Sequence, residues 1–290
     1  MEKLPVHHAI ALGALQGPTE LLPVSSSGHL VVVPSLLGWP YAKLDPELRK
    51  SFEVALHAGT AVALLIGLRE EVSEYVREFG PRNLVTLAFS FAPAAIVAHR
   101  YERVIERRLS EPLPVALGLA VGSIAMALAD GRPQQRTREQ TRLRDAVVIG
   151  LAQACALAPG VSRNGATLTA ARLLGFRRRD ANVISRQIAL PVIVGAAVLK
   201  GARLAARRDL PPGTLPGMGV GAAAAFGSTL VSMRLITMLE RSRSLLPYAG
   251  YRVLLAGTVL AHLRRQRSRP LPPLDSPASG SYAPVPAAVE

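Results

Sequence analysis

Long apolar stretches follow one another along the whole chain, and their lengths fall into two classes. They cover residues 5–16, 20–37, 52–68, 83–99, 113–129, 145–158, 163–175, 183–201, 215–239 and 247–263. A helix needs about 20 residues to cross a bilayer, so most of these stretches are long enough or nearly so. The stretches 5–16, 145–158 and 163–175 are too short to span.

The short stretches lie beside two breaks in the apolar pattern, at Pro23 and at Pro159–Gly160. Irregular backbone at membrane depth is tolerated only where it is buried in protein or lines a water-filled cavity. Short apolar segments interrupted by Pro or Gly therefore indicate re-entrant helix pairs that meet inside the protein.

The two breaks resemble each other in sequence. Residues at a constant offset of 137 match, namely Gln16 and Gln153, Val24 and Val161, Ser25 and Ser162, and Gly28 and Gly165. A weaker similarity links residues 51–59 with residues 185–193. Such an internal repeat is typical of membrane proteins whose site lies at the interface of the repeats. We therefore predict an all-α polytopic membrane protein with an inverted-topology repeat and two re-entrant helix pairs.

The chain is expected to form one integral membrane unit over residues 1–268, with halves of about 1–130 and 145–268. Residues 269–290 are rich in Pro, Ala and Ser, and we expect them to be a disordered tail. A soluble helical enzyme rich in Ala is the alternative, and the span-length stretches argue against it.

Composition narrows the class of partner. The hydrophobic fraction is 49% but the aromatic fraction only 4%, a balance that favours helices over strands. The net charge of +14 is carried by Arg in short connectors such as 132–144, 177–180 and 264–269. Basic connectors suit the positive-inside rule and an anionic membrane surface. No basic groove with interleaved aromatics is present in the sequence, so we expect no nucleic-acid partner.

The stretch "QGPTELLPVSSSGH" at residues 16–29 places polar groups between two apolar runs. Gln16 and Glu20 share one helix face, and an ionisable group among apolar neighbours is a functional candidate by default. Ser25–Ser27 offer hydroxyls at the start of a helix, where anions are favoured. His29 could act as acid, base or nucleophile. The alternatives are a solvated carboxylate for Glu20 and a simple serine N-cap.

The stretch "PGVSRNGAT" at residues 159–167 is a second candidate anion cradle. Ser162, Asn164 and Thr167 offer polar side chains, and Arg163 offers a planar fork suited to phosphate. Two facing cradles suit a diphosphate better than a monophosphate. Other polar groups could line the same pocket or fix helix ends at the membrane interface. These are Glu53, His57, Arg186, Gln187, Tyr248, Tyr251 and Arg252.

Together, the two motifs resemble the two signatures of the undecaprenyl-diphosphatase family, which is also known for bacitracin resistance. The first signature is Glu or Gln, then Glu four residues on, then Pro-Val-Ser-Ser-(Ser/Thr)-Gly-His. The second is Pro-Gly-x-Ser-Arg-Ser-x-x-Thr. The resemblance runs from about residue 5 to about residue 263. One departure is Asn164 in place of the usual Ser, which excludes this position as a nucleophile, and we expect activity to survive the change.

The resemblance implies a membrane hydrolase that converts undecaprenyl diphosphate to undecaprenyl phosphate, the carrier lipid of cell-wall peptidoglycan synthesis. It implies catalytic roles for Glu20, Ser26, His29 and Arg163, with substrate contacts from Ser25, Ser27, Ser162, Asn164 and Thr167. A divalent cation, Mg²⁺ or Ca²⁺, would be held by Glu20 and, less tightly, by Gln16. The site would open to the extracytoplasmic side of the cell membrane.

Several alternatives stay open at the level of sequence. The attacking group could be Ser26, His29 or water. A polyprenyl-lipid transporter or flippase would explain the repeat and the re-entrant helices equally well, but it does not require the Ser-Ser-Ser-Gly-His arrangement. Membrane orientation, prenyl chain-length preference and homo-oligomer formation are not fixed by the sequence.

Overall fold

The computed structural model describes residues 4–205, 214–242 and 244–268, and in these ranges the chain is helical without strands. The α-helices are α1 (Val6–Leu21), α2 (Ser26–Leu37), α3 (Pro46–Gly67), α4 (Arg69–Arg77), α5 (Pro81–Leu109), α6 (Pro112–Asp130), α7 (Leu143–Cys155), α8 (Arg163–Leu173), α9 (Arg178–Ala205), α10 (Thr214–Ser232), α11 (Arg234–Arg241) and α12 (Leu246–Arg267). Two short 3₁₀ helices cover Pro40–Lys43 and Arg138–Gln140.

Three helices are long and apolar enough to cross a membrane: the Pro81–Tyr101 part of α5, all of α6, and α10. Two bent pairs, α3 with α4 and α11 with α12, raise the number of candidate spans in the described ranges to five. Large apolar side chains on these helices are exposed, for example Val121, Leu128, Val231 and Leu254. Exposed apolar faces on span-length helices fit contact with lipid. The prediction of an all-α, multi-pass membrane protein is therefore confirmed.

The predicted start of the second helix, residue 20, is wrong. Helix α1 continues through Glu20 to Leu21, and α2 begins only at Ser26. Pro18 lies inside α1 and cannot donate to the carbonyl of Ala14. The Ser228 hydroxyl of α10 donates to that carbonyl at 2.5 Å, so a neighbouring helix replaces the missing bond.

The predicted helix over 215–239 is in fact two helices, α10 and α11, because the α-helical pattern is interrupted at Met233. Helix α4 directly follows α3 at an angle of 74°, and it is not among the helices predicted from the sequence. The predicted disordered tail, 269–290, lies outside the described residues, and the division into halves stays a prediction.

Equivalent helices of the two predicted halves make equivalent contacts across the molecule. Helix α1 packs on α10 of the second half, and α7 packs on α5 of the first half. Gly13 and Gly150, again 137 residues apart, make these two contacts close. A Cβ at Gly13 would lie 2.5 Å from the Gly221 carbonyl oxygen, and one at Gly150 would lie 2.8 Å from that of Phe89. Each half thus completes the packing of the other half's first re-entrant helix.

Candidate active site

The two breaks form matching loops between the helices of each re-entrant pair. Ser25 has φ 78° and Ser162 has φ 71°, and they are the only non-glycine residues with positive φ in the described ranges. Each caps the helix that follows it: the Ser25 Oγ accepts from the Gly28 N–H at 3.2 Å, and the Ser162 Oγ accepts from the Gly165 N–H at 3.1 Å. L-residues avoid this region of backbone space, so both loops hold strain at equivalent positions.

Both loops line one cavity of about 250 Å³. Its walls are Thr19, Glu20, Ser25, Ser26, Ser27, Val31, Lys50, Glu53, His57, Ser110, Ala156, Leu157, Pro159, Ser162, Arg163 and Asn164. Polar residues of both motifs therefore meet in one pocket as predicted, but Gln16, His29 and Thr167 are not among its walls. The N-termini of α2 and α8 both lie at this cavity, and helix N-termini carry partial positive charge.

Glu20 is the centre of the polar contacts in the cavity. Its Oε1 accepts from Arg163 Nη2 at 2.5 Å, and its Oε2 accepts from the Ser26 hydroxyl at 2.6 Å. The amide of Gln16 donates weakly to the same Oε2 at 3.4 Å, which confirms that Gln16 and Glu20 share a helix face. The Glu20 side chain is only 7% exposed and that of Arg163 18%, so this ion pair is largely shielded from solvent.

The histidine in reach of Glu20 is His57 of α3, and not His29. His57 Nε2 lies 3.6 Å from Glu20 Oε2, and its Nδ1 donates to the Glu53 carbonyl at 2.8 Å. From the sequence alone, His57 is only one of the secondary candidates. The four-residue spacing of Glu53 and His57 was the available signal, but it could not show which helix α3 would face.

His29 lies behind the first loop and is not one of the side chains that line the cavity. It is buried, and Nδ1 lies 2.7 Å from the Ser25 carbonyl while Nε2 lies 2.7 Å from the Tyr251 hydroxyl. A carbonyl oxygen only accepts, so Nδ1 carries the hydrogen. In the neutral ring, Nε2 then accepts from Tyr251. The proton-transfer role of His29 stays a prediction.

Asn164 bridges the two halves of the molecule. Its Nδ2 donates to the Leu21 carbonyl at 2.8 Å, and its Oδ1 accepts from the Ser185 hydroxyl at 3.1 Å. Thr167 is buried and shares a 2.6 Å hydrogen bond with Ser185, so it supports Asn164 from behind the cavity wall. The predicted substrate-binding roles of Asn164 and Thr167 stay predictions.

Five of the seven secondary candidates are not among the cavity walls, namely Arg186, Gln187, Tyr248, Tyr251 and Arg252. Arg186 pairs with Glu71 and Glu240, which ties α9 to α4 and α11. Tyr248 lines a separate surface groove. Arg252 is fully buried and reaches the backs of both loops.

Comparison with known proteins places this chain in a family. The family model described as bacitracin resistance protein BacA matches residues 9–258. The chain is 40% identical over 274 residues to an undecaprenyl-diphosphatase of Geobacter sulfurreducens, covering 90% of this chain and 99% of the relative. It is 32% identical over 268 residues to an undecaprenyl-diphosphatase of Campylobacter concisus, covering 89% of this chain and 98% of the relative. The chain belongs to the bacitracin resistance protein BacA family.

Proposed function

We propose that this protein is a membrane-embedded phosphatase that hydrolyses undecaprenyl diphosphate to undecaprenyl phosphate, the carrier lipid of cell-wall synthesis. The relatives named above carry this activity in their names. The observation that carries the proposal is the contact of Glu20 with both Ser26 and Arg163 in a cavity between two helix N-termini. A transporter has no need for this constellation, and the relatives' names do not favour one.

The cavity suits the head group of a diphosphate lipid. The N–H groups at the starts of α2 and α8 and the cation of Arg163 stabilise phosphate oxygens. Only one N–H of Arg163 is needed for the contact with Glu20, and a guanidinium carries five. Phosphoryl transfer needs positioning and charge neutralisation more than covalent help. The two loops provide both.

The attacking group in our proposal is the Ser26 hydroxyl. Its hydrogen already points to Glu20 Oε2 at 2.6 Å, so Glu20 takes the proton as the Ser26 Oγ bonds to the terminal phosphorus. The bond from that phosphorus to the bridging oxygen breaks, and undecaprenyl phosphate leaves. Water then attacks the phosphorus of the phosphoserine and the bond from Ser26 Oγ to phosphorus breaks. Ser26 Oγ takes the proton back from Glu20, and inorganic phosphate leaves. Arg163 holds Glu20 in place and balances its charge.

A divalent cation, Mg²⁺ or Ca²⁺, completes the proposal, with Glu20 and Gln16 as its protein ligands. Gln16 fits this role because its Oε1 is buried and has no hydrogen-bond partner among the described residues. In the described ranges, no three His, Cys, Asp or Glu side chains cluster as a metal site. Mg²⁺ sites commonly use one or two carboxylates and take their other ligands from substrate phosphates and water. When bound, the cation would neutralise phosphate charge.

The test is phosphate release by the purified protein from undecaprenyl diphosphate in detergent, with and without EDTA. We expect release that EDTA abolishes and added Mg²⁺ or Ca²⁺ restores. A lipid transporter would release no phosphate. Rapid acid quenching with a terminally ³²P-labelled substrate should trap label on Ser26, and Ser26→Ala should lose it. Turnover by Ser26→Ala near the wild-type rate would show that water attacks directly.

We further propose that the cavity opens to the extracytoplasmic side. The one cysteine, Cys155, is exposed and adjoins the cavity wall residues Ala156 and Leu157. A membrane-impermeant maleimide applied outside intact cells should therefore label Cys155. The matched control is Glu139→Cys in a Cys155→Ser background. Ser110 at the cavity precedes α6 and Glu139 follows it, and the 19 residues of α6 span roughly 28 Å.

The control cysteine should react only after the cells are opened. If the Glu139→Cys variant is labelled from outside while Cys155 of the wild type is not, the cavity faces the cytoplasm. Phosphate release would be unaffected by that result, so the orientation and the activity are tested separately.

A further inference from the structure

One guanidinium connects the two strained loops from behind. Arg252 of α12 is fully buried, and its Nη1 donates to the Pro23 carbonyl at 3.3 Å. Its Nη2 donates to the Gly160 carbonyl at 3.1 Å and to the Val161 carbonyl at 2.9 Å. The planar fork of a guanidinium fixes the distance between the acceptors it bridges. The same side chain therefore sets the spacing of the two loops.

The bridged carbonyls are equivalent in the repeat. Pro23 and Gly160 are 137 residues apart, the same offset that relates Ser25 to Ser162. Each carbonyl lies two residues before its strained serine. Arg252 thus contacts equivalent points of the two loops, close to both strained serines.

The neighbouring residue of α12 reinforces the first loop. The Tyr251 hydroxyl lies 2.7 Å from His29 Nε2, and the His29 ring bonds the Ser25 carbonyl through Nδ1. The rings of His29 and Tyr251 are also stacked, with centroids 5.6 Å apart. Consecutive residues of one helix therefore hold carbonyls on both loops.

Arg252 is an unusual choice for a purely structural residue. In the described ranges it forms no ion pair with a carboxylate. A buried charge without a counter-ion is costly. Arg172, which is equally buried, pairs with Asp130.

We propose that Arg252 is a positioning residue for the phosphatase reaction, which fixes the separation and orientation of the two anion-binding loops. The proposal rests on the proposed function, because it assigns the loops to substrate binding. Arg252 does not line the cavity, so it acts through the loop backbones and not by touching the phosphates. A misplacement of reacting groups by about 1 Å can cost on the order of a hundredfold in rate.

The experiment compares Arg252→Lys and Arg252→Gln with Arg172→Lys, the matched change at another buried arginine. Melting temperature, kcat and KM for undecaprenyl diphosphate are measured, with assays well below each melting temperature. A second readout is the rise in melting temperature on adding inorganic pyrophosphate, which needs no turnover. Tyr251→Phe tests the same connection with a change that removes only one hydroxyl.

We expect both Arg252 variants to lose kcat by on the order of tenfold to a hundredfold and to lose the pyrophosphate-induced stabilisation. Arg172→Lys should lower the melting temperature but keep wild-type kcat and the pyrophosphate response. Wild-type kcat in Arg252→Lys would overturn the proposal, since Lys keeps the charge but cannot bridge the loops.

The remaining outcomes are also decisive. If the Arg252 variants do not fold, wild-type kcat in Tyr251→Phe would refute the role of α12 in holding the loops, and a reduced kcat would support it. If the wild type releases no phosphate, the proposed function fails, and the pyrophosphate comparison still tests Arg252. An unchanged pyrophosphate response in both Arg252 variants would then refute its role.

Discussion

Backbone strain at Ser25 and Ser162 can be measured by replacing each serine with Gly and with Ala. Both serines have positive φ, which costs an L-residue about 1–2 kcal/mol and a glycine nothing. Both also cap a helix through the side chain. Glycine removes the strain and the cap together, whereas alanine keeps the strain and removes the cap.

The expected net change in the free energy of unfolding has opposite signs for the Gly and the Ala substitutions. Glycine gains about 1–2 kcal/mol from strain relief, loses about 0.5–1 kcal/mol to unfolded-chain entropy, and loses a few tenths as a weaker cap. The net is a change between zero and about 1 kcal/mol in favour of the folded state. Alanine loses about 1 kcal/mol for the missing cap.

The assay is thermal unfolding in detergent together with phosphate release. At about 2–4 °C per kcal/mol, the Ala variants should melt about 2–4 °C below wild type, and the Gly variants should melt at or above it. The Gly variants should nevertheless lose at least about tenfold in kcat, equal to about 1.4 kcal/mol of barrier, because the freed loops no longer hold the donors in place.

Ser27→Gly is the matched stability control. Ser27 lies in the first turn of α2 and is not one of the positive-φ residues. Glycine at position 27 relieves no backbone strain and should destabilise the protein. If Ser25→Gly lowers the melting temperature as much as Ser25→Ala does, the loops store no strain and the reasoning is refuted.

Three further substitutions test individual contacts in the cavity. Arg163→Lys should lower kcat by on the order of a hundredfold, the usual cost of a preorganised donor, and near-wild-type turnover would remove Arg163 from the site. Glu20→Gln should lower kcat and shift the Mg²⁺ dependence of phosphate release, while an unchanged Mg²⁺ titration would exclude Glu20 as a metal ligand. Asn164→Ser should destabilise the protein by about 1 kcal/mol through loss of the bond to the Leu21 carbonyl, yet keep its activity. An inactive, stable Asn164→Ser would contradict this.

The contact between the two loops could be predicted because the same break in the apolar pattern occurs twice in the sequence. Matching breaks at a constant offset imply equivalent backbone positions, and Ser25 and Ser162 adopt nearly the same φ. The end of α1 could not be predicted. Pro18 argues locally for an end to the helix, but a hydroxyl from α10, more than two hundred residues away, satisfies the carbonyl that Pro18 leaves unpaired.

The contact partners of individual side chains could not be predicted from the sequence either. His57 and Arg252 both appeared as polar residues in apolar stretches, with no signal to rank them above Arg186 or Tyr248. Their contacts depend on how α3 and α12 rotate about their axes. That rotation is set by packing across the whole bundle, to which many residues contribute a little each.

The repeat places equivalent backbone positions around the cavity, but the proposed chemistry depends on side chains that differ between the two halves. At equivalent positions, Ser26 corresponds to Arg163, and both contact the same carboxylate. That carboxylate, Glu20, corresponds to Leu157 in the other half, so the helix ends that precede the two loops carry one acid where strict symmetry would require two. Glu20 and Glu53 already line the cavity, and a carboxylate in place of Leu157 would add to the repulsion of the incoming diphosphate. In the proposed reaction, one half supplies the hydroxyl and the base while the other supplies Arg163. The duplicated loop backbone would then hold phosphate from two sides.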